Sequence, residues 1–170
     1  MRSPRYHHHR NKGLDLAAQH GWVEVLPPLV EHGERWSETT TGQAARYNRR
    51  QLFEWGRAQL PPVPWGSLCE TAAGCGHLEL LRWARAQSPP APWDAYTCRL
   101  AARNGHLELL KWARAQTPPA PWAESTCSGA AYGGHLALLH WVRAQTPPAP
   151  WNEQTCSGGV ARGARAPVRV

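Results

Sequence analysis

The chain has 170 residues, a net charge of +7 and five cysteines. Residues 1–13 carry four basic groups and residues 162–170 carry three, with no acid in either, while the remaining twelve basic groups face all twelve acids; this excludes a basic groove along the body. No stretch approaches the roughly 18 apolar residues of a membrane span, and the absence of any CxxC pair argues against a zinc framework.

Residues 1–13 are polar and read as a disordered basic tail, with Arg2, Arg5, Arg10 and Lys12. They contain no apolar h-region, so no secretory signal is expected. His7-His8-His9 offers at most a loose metal contact. Residues 14–35 form a first, degenerate unit. Its Ala17-Ala18-Gln19-His20-Gly21 is followed by Trp22, where later units place histidine. Pro27-Pro28 fall inside its expected second helix, where proline removes a hydrogen bond and clashes with the preceding turn at about 3 kcal/mol. That helix is expected to be broken. Residues 36–64 make a second unit, in which Ala44-Ala45 aligns but Asn48-Arg49 replaces the later Gly-His pair.

Residues 65–92, 93–121 and 122–150 are near copies of one another, and Gly76-His77, Gly105-His106 and Gly134-His135 recur every 29 residues. A fixed period in the 20–50 residue range means a stacked array. In the middle copy, WDAYTCRLAARNGHLELLKWARAQTPPAP, the spacing predicts two helices. The first covers 97–104, with Ala101 and Ala102 as small packing residues and Thr97 as N-cap. Gly105 stops it by taking positive φ. The second covers 107–116, with Leu107, Leu109, Leu110, Trp112 and Ala113 on a wide apolar face, and Glu108 and Lys111 paired at i, i+3. Pro118, Pro119 and Pro121 then read as a stiff extended connector.

A sixth, partial unit covers 151–158, with Thr155-Cys156-Ser157-Gly158 in register. Residues 159–170 are rich in Gly, Ala, Arg and Pro and read as a second disordered basic tail. The predicted organisation is one array over residues 14–158. About three repeats suffice to bury a continuous core that no single unit could bury.

The repeat resembles an ankyrin repeat. Thr97, Ala101-Ala102, Gly105-His106 and Leu107-Glu108-Leu109-Leu110-Lys111 parallel the family pattern T-P-L-H-x-A-A-x-x-G-H-x-E-V-V-K-x-L-L. Cys98 lies near the family's proline, one residue is missing before Ala101, and the period is shorter than ankyrin's roughly 33. The resemblance implies a divergent, short, Trp- and Cys-containing ankyrin-like protein. The fold so implied is all-α: an α-solenoid of stacked helix-turn-helix repeats with shortened loops. Leucine-rich and tetratricopeptide signatures are absent.

Several residue types recur once per unit. Arg57, Arg85, Arg114 and Arg143 read either as a solvated outer face or as a phosphate-tracking row. Cys69, Cys98, Cys127 and Cys156 form a ladder that should not crosslink, because packed helices lie about 8–10 Å apart and disulfides need Cα atoms within roughly 4.4–6.8 Å. Buried thiols of this kind point to a reducing, cytoplasmic compartment, with the nucleus also open. Cys75 stands outside the ladder. The histidines are expected to bond the loop between units. Trp55, Trp83, Trp112 and Trp141 form one tryptophan ladder on the second helices. Trp36, Trp65, Trp93, Trp122 and Trp151 form another after the prolines. Packing is their default role, with base stacking the alternative. Pro118-Pro119-Ala120-Pro121 also satisfies PxxP.

There is no phosphate-cradling glycine loop, no GxSxG and no convergent carboxylate pair, so no enzyme, metal or cofactor is expected. Differences between units collect after the connector tryptophan and on the first helix. At these places stand Asp94, Tyr96, Arg99, Arg103, Glu124, Ser125 and Tyr132; Glu70, Arg99 and Ser128 are equivalent, as are Gly74, Arg103 and Tyr132. In ankyrin proteins the concave binding surface is built from the loop tips and first helix. The resemblance therefore implies a monomeric protein-interaction module that holds a partner protein through those residues. The alternative is a nucleic-acid-associated protein acting weakly, and with salt sensitivity, through its basic tails and arginine row.

Overall fold

The computed structural model describes residues 12–150. The first eleven residues, His7-His8-His9 included, lie outside the described residues, as do the 151–158 partial unit with Trp151 and Cys156 and the 159–170 tail. Among the described residues there are ten α-helices and no strand. They are α1 (Lys12–His20), α2 (Leu26–Glu31), α3 (Glu38–Arg46), α4 (Arg50–Arg57), α5 (Leu68–Cys75), α6 (Leu78–Arg85), α7 (Ala95–Arg103), α8 (Leu107–Arg114), α9 (Glu124–Gly133) and α10 (Leu136–Arg143). The chain is therefore all-α, as its 3.6-residue periodicity predicts. It divides after Leu68 into two compact units.

In the first unit α1 packs on α3, while α2 adjoins α1 and α4 adjoins α3. Ala17, Ala18, Ala44 and Ala45 are fully buried, and their small side chains allow the first helices to approach closely. Leu14, Leu26, Leu52 and Phe53 fill the remaining core; each such side chain contributes roughly 1.5–3 kcal/mol by burial. In the second unit α7 packs on α9, with α8 beside α7 and α10 beside α9. Ala101, Ala102, Ala130 and Ala131 are buried there, with Leu80, Leu81, Leu109, Leu110, Leu138 and Val142 from the second helices.

Helix α1 begins at Lys12, two residues inside the stretch read as tail. The Glu34 carboxylate accepts from the Gly13 and Leu14 amides at 3.3 and 2.8 Å, supplying the acceptors that a helix start needs. Helix α2 corrects a prediction: it is intact, because Pro27 and Pro28 sit in its first turn. Amides there have no intrahelical partner, so two prolines forfeit nothing.

Thr97 is not the N-cap of its helix. Asp94 is: its carboxylate accepts from the Thr97 amide at 3.0 Å, while the Asp94 amide donates back to the Thr97 hydroxyl at 3.3 Å. Ser37 and Thr40 make the same exchange on α3. On α9 only half remains: the Ala123 amide donates to the Thr126 hydroxyl at 3.4 Å, and Ala123 has no side-chain acceptor to return. Gly105 takes φ +80 at the turn, as expected, and Asn48 replaces glycine at φ +56 in the second repeat.

The connectors are not extended. Helices α4, α6, α8 and α10 each end at an arginine, and the chain then folds back. The Ala120 amide donates to the Ala113 carbonyl at 2.9 Å, and Val63 to Gly56 and Ala91 to Ala84 do the same at 3.0 Å. Thr117–Pro118 and its counterparts at Leu60, Ser88 and Thr146 are cis peptides. Ala120 is fully buried. The PxxP segment is thus committed to the fold, with an interior hydrogen bond and an interior side chain.

Candidate functional site

The repeated arginines each bond the connector that follows their helix, and Arg57, Arg85 and Arg114 are half-buried while Arg143 is exposed. Arg57, Arg85, Arg114 and Arg143 donate to the carbonyls of Val63, Ala91, Ala120 and Ala149, at 2.9, 2.6, 2.6 and 3.5 Å. The first three also lie over the next connector tryptophan, at 4.5 Å (Trp65), 4.1 Å (Trp93) and 4.0 Å (Trp122) from the ring centroid. Trp93 and Trp122 in turn meet Trp112 and Trp141 edge to face, at 5.8 and 6.2 Å. Arginine, connector and the two tryptophan ladders form one staple. The glutamines two residues on complete it: Gln59, Gln87, Gln116 and Gln145 each donate to the carbonyl of the second-helix tryptophan at 3.0 Å. The recurrence of these glutamines was visible in the sequence, and their role was not. The expected Glu108–Lys111 pair forms at 2.7 Å on the surface, where it contributes a few tenths of a kcal/mol.

His106 and His135 do not bond the connector. His106 Nε2 donates to the Gly74 carbonyl at 3.1 Å and His135 Nε2 to the Arg103 carbonyl at 3.2 Å, so each satisfies the end of the preceding first helix. In the first unit Arg49 does this work, donating to the Gln19 carbonyl through Nε and Nη2 at 3.2 and 3.0 Å. The Asn48-Arg49 departure therefore preserves the physical role of Gly-His. Trp22 instead stacks on His20, with ring centroids 4.6 Å apart.

With the second helices and connectors occupied by these interactions, the variable residues sit on the first helices. Tyr96 is on α7 and Tyr132 on α9, exposed by 42% and 37%. Arg99 lies over the Tyr96 ring at 5.2 Å and Arg103 over the Tyr132 ring at 4.6 Å. Arg99, Arg103 and Tyr132 line one open groove of about 310 Å³ with Ser128 and Gly129. Ser128 and Gly129 were missed as lining residues, although Ser128 lies one 29-residue period beyond Arg99. Gly129 permits the close approach of α9 to α7: a Cβ there would stand 2.8 Å from the Arg99 carbonyl oxygen. The groove does not include Asp94, Tyr96, Glu124 or Ser125. Asp94 is engaged in capping α7. Ser125 gives its carbonyl to the Ser128 hydroxyl at 3.2 Å, and Glu124 is exposed in the first turn of α9.

The ladder cysteines Cys69, Cys98 and Cys127 are free and buried, whereas Cys75 is free and exposed. Loss of solvation pushes the Cys69 and Cys98 thiols up to about 12, against smaller lowering effects from Arg85 and Arg114 respectively. Burial raises Cys127 as well. These are packing thiols held in the neutral form. Among the described residues, no group of three or more His, Cys, Asp or Glu side chains is placed to hold a metal ion. No described helix is long and apolar enough to cross a membrane. No protein-family model matches the chain, and no curated protein matches it.

Proposed function

We propose that the chain is a non-enzymatic protein-interaction module: a short α-solenoid of divergent ankyrin-like helix pairs that binds a partner protein through the face built from its first helices and the loops before them. The observation that carries this reading is the placement of its exposed aromatic side chains. Tyr96 and Tyr132 stand out from first helices with arginines over their rings, and Tyr47 is exposed at the end of another first helix, α3. Among the described connector tryptophans, by contrast, Trp65 is buried and Trp36, Trp93 and Trp122 are half-buried. Tyrosine and arginine commonly supply interface energy because they combine large contact area with directed hydrogen bonding. The repeated helix pairs and the small-residue packing of first helix on first helix support the solenoid part of the reading.

The nucleic-acid alternative is less favoured, since each guanidinium of its arginine row donates to a connector carbonyl. The test is capture of a partner from extract of the native cell, compared with a Tyr96→Ala/Arg99→Ala/Arg103→Ala chain. The triple variant should lose the partner while keeping its helical circular dichroism, because changes at exposed sites shift stability by only about ±0.5 kcal/mol each. Retention of the partner at full affinity would place the binding face elsewhere.

A further inference from the structure

We infer that the groove between α7 and α9 is a carboxylate subsite, and that the partner presents to it an acidic peptide segment with one Asp or Glu side chain seated between Arg99 and Arg103; this rests on the reading of the chain as a protein-binding module. The described arginines of the second unit divide into two sets. Arg82 pairs with Glu79, while Arg85, Arg114 and Arg143 donate to connector carbonyls. Arg99 and Arg103 make only ring contacts, to Tyr96 and Tyr132, and neither has a carboxylate partner among the described residues.

Arg99 and Arg103 stand at i, i+4 on α7, so they share a face with Cβ atoms roughly 5–6 Å apart. Both side chains line the same groove, so both flank a carboxylate seated in it. A guanidinium over an aromatic ring is restrained there, yet its in-plane N–H donors still face an acceptor outside the ring. Two such forks match the two oxygens of a carboxylate, whose charge-assisted bonds are about twice as strong as neutral ones. The carboxylates on the same helices, Asp94 and Glu124, stand at the N-terminal ends, and Asp94 is held by Thr97.

The groove's size suits a single acidic side chain and its neighbours, at about 310 Å³. Exposed Tyr132 forms one wall, against which the adjoining part of a peptide buries apolar surface. A nucleic acid fits less well. Phosphates recur along a strand, and among the described residues the other arginines of this unit bond a carboxylate or a connector carbonyl, so they do not continue the Arg99–Arg103 pair as a row.

The test is selection of peptides from a random displayed library on the full-length chain, followed by fluorescence anisotropy with the selected peptides. The binders should share an Asp or Glu at one position. Replacing that residue with Asn or Gln should weaken binding roughly ten- to hundredfold, as should Arg99→Gln with Arg103→Gln in the protein. Arg99→Lys with Arg103→Lys should lose less, since charge remains and only the planar fork is gone. Each variant is compared at an unchanged urea midpoint, and Arg99→Gln alone serves if the pair unfolds the chain.

Peptides without a shared acid, or binding that survives loss of both arginines, would overturn the subsite while leaving the interaction-module reading standing. If the wild-type chain selects no peptide, that reading falls as well. Stronger binding of a phosphoserine peptide, inorganic phosphate or an oligonucleotide than of the acidic peptides would overturn the choice of carboxylate.

Discussion

Gly56 on α4 and Val63 in the connector after it are matched in size. A Cβ on Gly56 would lie 2.6 Å from a Val63 methyl, closer than carbon atoms approach. The corresponding pairs in later repeats are Ala84 with Ala91, Ala113 with Ala120 and Val142 with Ala149. The second repeat places its bulk on the connector and leaves the helix bare, whereas the fifth does the reverse. Gly56→Ala should gain about 1 kcal/mol of helix propensity but lose about 1–3 kcal/mol to overpacking. Val63→Ala should leave a cavity opposite a glycine. The double variant recreates the Ala-Ala pair of its neighbours and should be more stable than the two single changes sum to, by about 1 kcal/mol or more. Urea denaturation of all four proteins measures this coupling, and strict additivity would refute the size match.

The incomplete cap on α9 gives a stabilising prediction. Ala123 has φ −140° and ψ −179°, close to the −141° and −173° of Asp94, so the backbone is already arranged for a capping side chain. The Thr126 amide donates only to the Ala123 carbonyl, at 2.9 Å, so Ala123→Asp should add a carboxylate acceptor for the first-turn amides and stabilise the second unit by about 0.5–2 kcal/mol. An acid there also suits the positive end of the helix dipole. The thermal midpoint should rise. No change would mean that the Asp94–Thr97 exchange owes its geometry to something other than the cap.

Helix identity was legible from periodicity because the second helices carry apolar residues three and four apart, Leu107/Leu110 and Leu109/Ala113 in α8, and a turn glycine follows α1, α5, α7 and α9. The start of each first helix was less legible. Thr97 is the usual capping residue type, yet it occupies the third position, and the deciding signal was the acceptor three residues earlier, at Ser37 and Asp94. Pro27-Pro28 misled because a proline's effect depends on the register of the helix, which shifts in the first repeat. The arginine staple depends on where a connector carbonyl comes to rest, and no local pattern encodes that. The Arg103–Tyr132 contact was visible in principle: the residues are one period apart, so stacking α7 on α9 makes them neighbours. Which side chains border the groove, Ser128 and Gly129 included, followed only from the helix facing.

The staple itself can be tested at Arg114, which donates to the Ala120 carbonyl at 2.6 Å and covers Trp122 at 4.0 Å. Arg114→Ala removes both interactions. A charge-assisted hydrogen bond and a cation–π contact at a half-buried site together amount to about 1–3 kcal/mol. Arg114→Lys should recover only part of this, because an ammonium lacks the flat fork that bonds a carbonyl while lying over a ring. Trp122 also meets Trp141 on α10, so the loss should reach the last helix pair and broaden the second unit's unfolding transition. A stability equal to wild type would show the arginine row to be a surface feature after all.

The ladder thiols make stability fall with alkaline pH. In the unfolded chain Cys69 and Cys98 ionise near 9.0, whereas burial holds them neutral up to about 12 in the fold. Below pH 9 both states carry the same protons, and the stabilising effect of keeping the thiols neutral is fully present. Between pH 9 and pH 12 the unfolded state releases protons that the folded state retains, so unfolding becomes progressively easier. The urea midpoint should therefore drop as pH rises from 8 through 10, and Cys69→Ala with Cys98→Ala should flatten that slope even if it lowers stability at neutral pH. A second readout is alkylation at neutral pH. Exposed Cys75 should react promptly with a thiol reagent, while buried Cys69, Cys98 and Cys127 should label only as the chain unfolds. Rapid labelling of all four in the native protein, or an alkaline slope unchanged by the double substitution, would contradict the buried ladder.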